Sequence, residues 1–286
     1  MRIVTDCAAD MSKEELDQLG ITQAPLYIQF PEGEVSSVDI APELFYDRLE
    51  AMQPNIPTTA MPSSGLLADI YARLARLDEN ILSVHISSGL SGTINAARGA
   101  AEQLRQRASV HFWDTLTLSG GQRFQVIAAA LAARAGWTLA SIQERLAMIR
   151  ARTEVIYTLD TLDYLARGGR IGRVKALAGA LLHLKPIIRV DSDGKYTSVS
   201  STRTIGKSIG AITEHLRSRY GSTPLWVTVL HGRFSEKADE LSESLRQALT
   251  VNKLEVMRIS PVLGVHTGPR VVGAAVVPSE YVEDLW

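Results

Sequence analysis

Short β-type runs alternate with longer stretches of helical period along this chain, which confines it to α/β architecture. In the first half the runs predict strands over 2–5, 23–30, 81–86 and 109–113, in a largely parallel sheet. Helices are expected over 66–77 and 92–104, with Ser12 and Ser63 as N-caps, because each hydroxyl precedes residues of apolar period. An Ala-rich helical stretch over 121–135 and a second over 139–151 lead to a boundary near Arg150. Beyond it come a strand over 155–159, a helical stretch, and strands over 186–190 and 196–201 joined by the turn Asp191-Ser192-Asp193-Gly194. A helix over 205–220, a strand over 225–230, a helix over 236–249 and a strand over 254–259 complete a mixed sheet with helices. At 286 residues the chain exceeds the roughly 250 at which one core stops growing. Two α/β domains are therefore expected, 1–150 and 151–286, with an interdomain cleft available for a ligand.

Charge narrows what that ligand is. Lys and Arg total 30 against 31 Asp and Glu, so no global positive field gathers nucleic acid, and any anion site must be local. No apolar run approaches the roughly 20 residues of a membrane span. The single cysteine, Cys7, permits neither an intramolecular disulfide nor a cysteine-based zinc site, and no His and carboxylate cluster has metal-ligand spacing. Met1 leads straight into a strand with no leader pattern, so a cytoplasmic location is expected. Cys7 is read as a small buried thiol, because nothing near it in sequence lowers its pKa.

Hydroxyl residues and glycines recur where strands give way to helices. The stretch from His85 to Thr93 ends a buried strand in Ser87-Ser88-Gly89-Leu90-Ser91-Gly92-Thr93, where free helix amides and the helix dipole favour an anion. Ser91 and Thr93 either cap that helix or hold a ligand. Thr58-Thr59 before Ser63, and Thr115-Leu116-Thr117-Leu118-Ser119 before the Ala-rich helix, repeat the pattern. Arg170 lies in the glycine-rich Gly168-Gly169-Arg170-Ile171-Gly172, placed for two-pronged contact with a carboxylate or phosphate, or for an interdomain salt bridge. Arg203 at a strand end is a second candidate cation or a solvated charge. His266, among turn-favouring residues in Gly264-Val265-His266-Thr267-Gly268-Pro269, is either a packed histidine or a group that meets a ligand oxygen. His85, His111, His183 and His231 read as packed or surface residues. No phosphate loop with its lysine, no dinucleotide fingerprint and no Gly-x-Ser-x-Gly elbow is present.

In this order, Thr5-Asp6, Pro57-Thr58-Thr59, Ile86-Ser87-Ser88-Gly89-Leu90-Ser91-Gly92-Thr93, Gly168-Gly169-Arg170-Ile171-Gly172, Leu184-Lys185-Pro186 and His266-Thr267-Gly268-Pro269 resemble the DegV family across essentially the whole chain. The resemblance implies a two-domain α/β protein that binds one long-chain fatty acid, with no other cofactor and no metal. It implies a carboxylate held by Thr59 and Ser91, with Ser88, Gly92, Thr93, Ser119 and His266 nearby, and an acyl tunnel in the first domain. Arg170, Arg203 and His266 would face a phosphoryl group if a separate ATP-dependent kinase subunit converts the carboxylate to an acyl phosphate. Three positions depart from the family pattern. Cys7 stands where serine is usual, Arg270 where glycine is typical, and Ser119-Gly120-Gly121-Gln122 varies a serine-glycine segment. Arg270 either adds charge at the headgroup or obstructs it.

The physics of such a ligand is simple. Burying each methylene is worth about 0.8 kcal/mol, so a dozen supply on the order of 10 kcal/mol before binding costs. Neutral donors compensate the desolvated carboxylate and fix which end faces the mouth. The Ala-rich segment over 127–135 serves either as tunnel wall or as ordinary core. The apolar stretch over 176–184, with Leu181 and Leu182, is either a membrane-touching cover at the mouth or a core helix. Two further functions stay open: a self-sufficient hydrolase or phosphotransferase using His266 and a serine, and a lipid-responsive regulator.

Overall fold

The computed structural model describes residues 1–78, 80–104, 109–174 and 184–282. The first half runs β1 (Arg2–Asp6), α1 (Lys13–Leu19), β2 (Ile21–Ala24), β3 (Tyr27–Phe30), β4 (Gly33–Ser36), α2 (Pro42–Ala51), β5 (Thr58–Ala60), α3 (Ser64–Ala75), β6 (Asn80–His85), α4 (Thr93–Glu102), β7 (Ser109–Asp114), α5 (Ser119–Arg134) and α6 (Leu139–Arg152). Strands β2-β1-β6-β7 form a sheet whose three pairings are all parallel. Ser12 and Ser63 cap α1 and α3 as expected, accepting the amides of Glu15 and Leu66 at 3.2 and 3.1 Å.

The strand expected over 23–30 divides in two. Pro25 has no N–H to carry the β1 ladder further, and the amide of Leu26 turns to Cys7 Sγ at 3.2 Å. β3 then enters a separate antiparallel sheet, β4-β3-β5. That small sheet and α2 were not foreseen, and they matter because β5 carries Thr59, paired with Ile28 of β3.

The second half runs β8 (Glu154–Leu159), α7 (Asp163–Arg167), β9 (Lys185–Val190), β10 (Tyr196–Thr202), α8 (Ile205–Tyr220), β11 (Leu225–His231), α9 (Ser235–Ala248), β12 (Val251–Arg258), α10 (Pro261–Thr267) and β13 (Val271–Pro278). Its sheet, β10-β9-β8-β13-β11-β12, is mixed: only β11 and β12 run parallel. The strand expected over 254–259 begins earlier, at Val251, while α10 and the central, fully buried β13 were unassigned in the sequence.

Each half has its own sheet, yet one apolar core runs through both, from Ile3 and Val84 to Val155, Leu230 and Val277. Helix α5 is the reason. Its residues from Ser119 to Ala132 are all buried, between β1 and β6 on one side and β8 and β13 on the other. Such a site excludes large side chains: a Cβ on Gly120 would fall 2.6 Å from Ala275 Cβ, and one on Gly121 would fall 2.6 Å from Val155 Cγ2. The Ala-rich run is therefore close-packed core. Arg123 leaves α5 sideways, bonding Glu15 at 2.6 Å and Glu255 at 2.8 Å, and so ties α1 to β12. No helix of the described residues is long and apolar enough to cross a membrane.

Candidate functional site

A cleft of about 570 Å³ opens where the small sheet, the first turns of α3 and α4, the Arg170 loop and α10 meet. Leu26, Ile86, Leu90, Tyr196, Val262 and Leu263 form its apolar wall, and Thr59, Ser63, Ser91, Arg170 and His266 supply its polar groups. Wall residues come from both halves, so the cavity lies at their junction. Residues 127–135, read as either tunnel wall or core, do not line this cleft.

His266 is the buried centre of this site. Its helix starts at Ser260-Pro261, where the Ser260 amide donates to Asp10 Oδ1 at 2.7 Å and the Val262 amide to Ser37 Oγ at 3.0 Å. Pro261 at the first helical position needs no such partner. The helix ends at Gly268, φ 75°, where a Cβ would lie 2.5 Å from the Tyr164 ring. His266 thus sits in the last helical turn rather than in a turn, with Nε2 2.8 Å from Thr59 Oγ1. Among the described residues Nδ1 has no hydrogen-bond partner, and it faces Gly168, whose missing Cβ would stand 2.2 Å away.

Burial, and then the charge of Arg170, push the imidazole down to about 3, so it is neutral at pH 7. A neutral imidazole carries one N–H. We place it on Nε2, because Nδ1 faces carbon and an orphaned donor is costly. Nε2 then donates to Thr59 Oγ1, and the Thr59 hydroxyl proton is left to point into the cleft.

Ser91 approaches from the opposite wall. The amides of Leu90 and Ser91 both donate to Ser87 O at 3.0 Å, forming the turn from which Ser91 projects. Ser91 Oγ lies 2.8 Å from Thr93 Oγ1, the buried first residue of α4. Gly92 lines the cleft under Met61, whose Sδ would be 3.1 Å from a Cβ there. Two helix N-termini therefore face one cavity, α3 through Ser63 and Ser64, α4 through Gly92. Arg170 is half-buried at the rim, its Nη1 donating to Gly168 O at 2.7 Å and its Nε reaching Leu90 O at 3.5 Å.

Thr59, Ser91, Gly92, Arg170 and His266 are thus brought together, with Thr93 directly behind Ser91. The other candidates are elsewhere. Ser88 is exposed and gives its amide to Asp114 at 3.2 Å. Ser119 is buried under α10, donating to Asp10 Oδ2 at 2.5 Å and bordering a separate cavity of about 20 Å³. It does not line the cleft. Arg203 is exposed, one residue past the end of β10, and does not line the cleft. Arg270 is exposed, borders another cavity of about 250 Å³, and stacks its guanidinium 5.3 Å from the Phe234 ring, so it does not obstruct the cleft. Leu181 and Leu182 lie outside the described residues.

The bland readings of Cys7 and His85 agree with their surroundings. Burial pushes the Cys7 thiol up to about 12. His85 is fully buried between Asp6 Oδ2 at 2.9 Å and Ser83 Oγ at 2.8 Å. Missed in the sequence were Tyr196, Val262, Leu263 and Leu26, which carry no chemical signature apart from the Ser260-Pro261 helix start.

Known proteins are similar throughout. The family profile described as an uncharacterised protein of the DegV family matches residues 1–279. A DegV domain-containing protein of Deinococcus radiodurans is 36% identical over 281 residues, covering 98% of this chain and 96% of its own length. One from Clostridium perfringens is 33% identical over 276 residues, covering 96% and 97%. Among solved structures, a fatty-acid-binding DegV family protein of Thermus thermophilus superposes with a TM-score of 0.90 at 29% identity, covering 97% of this chain and 100% of its own. A stearic-acid-binding protein of Eubacterium ventriosum superposes at 0.88 and 26% identity, covering 98% and 99%. On the full-length profile match, the level of identity and the shared fold, this chain belongs to the DegV family.

Proposed function

We propose that this protein binds one long-chain fatty acid in the junction cleft and, in the cytoplasm, presents its carboxylate to a separate ATP-dependent kinase subunit. The observation that carries the reading is the Thr59–His266 contact of 2.8 Å, a neutral hydroxyl-imidazole pair at the polar edge of an apolar cleft of about 570 Å³. The fatty acids bound by the Thermus thermophilus and Eubacterium ventriosum proteins support it. The tail lies against Leu26, Ile86, Val262 and Leu263, where burial supplies affinity. The Thr59 hydroxyl, oriented by His266, and the Ser91 hydroxyl donate to the carboxylate. Neither is charged, so the carboxylate keeps its nucleophilic lone pairs.

With a kinase subunit docked, one carboxylate oxygen attacks the γ-phosphorus of ATP held by that partner. The bond from γ-phosphorus to the β,γ-bridging oxygen breaks and ADP leaves, giving the acyl phosphate. Arg170 stands at the rim where negative charge accumulates.

A self-sufficient hydrolase is disfavoured by His266 itself. Among the described residues its Nδ1 has no carboxylate to orient it or to stabilise a charged imidazole. The Asp6–His85–Ser83 chain has those residue types but all three are fully buried. Incubating the lipid-loaded protein with ATP, with and without a kinase subunit, and trapping acyl phosphate with hydroxylamine tests the reading. Product only with the partner is expected; product from the protein alone contradicts it.

A further inference from the structure

The turn Asp191-Ser192-Asp193-Gly194 does more than reverse the chain between β9 and β10. Its tip is pressed into the first half of the molecule. Ser87, fully buried, donates its hydroxyl to Gly194 O at 2.7 Å and accepts the amide of Gly89 at 3.0 Å. The approach leaves no room for a Cβ at either glycine. A Cβ on Gly194, φ 75°, would stand 2.0 Å from Ser87 Oγ and 3.1 Å from Leu116 Cα, and one on Gly89 would stand 2.8 Å from Gly194 O. Ser87 is also the residue whose carbonyl accepts the amides of Leu90 and Ser91 at 3.0 Å, so the loop that projects Ser91 hangs from a residue fixed by the hairpin.

The same turn is fastened to the other wall of the cleft. Arg173, three residues past Arg170, pairs with Asp193 and lies 3.6 Å from Asp191. Arg170 itself reaches across to Leu90 O at 3.5 Å. The Ser91 loop and the Arg170 loop are therefore both tethered to one hairpin tip.

We infer that the Asp191–Gly194 turn is a positioning element for the headgroup site: through Ser87 and Arg173 it sets the separation of Ser91 from Arg170, and so decides how well a carboxylate is told from an uncharged headgroup. Ser87 and Gly194 are positioning residues. Neither lines the cleft. Acyl-chain affinity arises on the apolar wall and does not depend on them. The inference rests on the fatty-acid reading of the cleft.

The experiment compares palmitate with methyl palmitate, which keeps the tail and removes the charge, on delipidated full-length protein carrying Ser87→Ala or Asp193→Asn. Ser87→Ala takes away both hydroxyl contacts, and the preference for acid over ester should fall roughly tenfold, about the worth of one to two hydrogen bonds, with ester affinity within twofold of wild type. Asp193→Asn, on the exposed tip, removes the shorter of the two Arg173 ion pairs and leaves that with Asp191, without touching the core, and should lower the preference about threefold. A general loss of structure would weaken acid and ester alike. Should wild type bind both and the variants keep its acid-to-ester ratio, or lose both ligands equally, the positioning role is wrong while the carrier reading stands. Should wild type bind neither, both fall.

Discussion

His266 and Asp10 lie on the same short path, one at the end of α10 and one bonded to its N-cap residue Ser260, and burial moves them in opposite senses. Burial holds the imidazole at about 3 against an ordinary 6.5, and holds the Asp10 carboxyl at about 6 against 3.8. Below pH 6.5 the unfolded chain takes a proton on His266 that the folded protein refuses, so stability falls as pH drops towards 3. Between pH 6 and 3.8 the folded protein keeps a proton on Asp10 that the unfolded chain gives up, so there stability rises as pH drops. Each slope is about 1.4 kcal/mol per pH unit at its steepest, and they offset one another. We expect urea midpoints of His266→Gln to rise on acidification from pH 6 to 4, those of Asp10→Asn to fall, and wild type to change little. A His266→Gln profile parallel to wild type would mean that the imidazole is not held neutral. At the same scale, Thr59→Val removes the donor oriented by His266, and calorimetry with palmitate should show roughly ten- to hundredfold weaker binding. Unchanged affinity would remove Thr59 from the headgroup site.

Among the elements, α5 decides how the two halves are joined. Gly120→Val adds side-chain volume where even a Cβ lies 2.6 Å from Ala275 Cβ, and should cost about 1–3 kcal/mol by denaturant titration. A neutral outcome would show that the helix is not clamped between the sheets. Most elements were legible, because alternating strands and capped helices announce themselves through local pattern: Ser12 and Ser63 cap as read, and the turn before Gly194 is where its composition put it. What stayed hidden depends on distant partners. Pro25 splits a run that looks continuous, and the short β5 is a strand only because β3 lies beside it. Helix α10 had a usable sign in Ser260-Pro261, and β13 in its unbroken apolar run bounded by Arg270 and Pro278. The site was read with similar unevenness. Thr59, Ser91, Arg170 and His266 carry polar chemistry that points to a ligand. Ser119 carries the same chemistry but is bonded to the buried Asp10, and the apolar wall carries none that separates it from core.

For the molecule as a whole, one core crossing the boundary near Arg150 means that the halves should unfold together. A single denaturation transition is expected, and two resolved transitions would show that α5 does not couple them. The junction cleft belongs to that shared structure, which is why its polar groups come from both halves, Thr59 and Ser91 from the first and Arg170 and His266 from the second, while its apolar wall grades into the core. The account stands on the cleft holding a hydrocarbon chain with its carboxylate at Thr59. Native mass spectrometry of the protein as purified tests this most directly. The prediction is a complex heavier than the polypeptide by one fatty acid, released on denaturation and lost from Thr59→Val under the same conditions. A polypeptide mass alone, with delipidated protein taking up neither palmitate nor oleate, would contradict it.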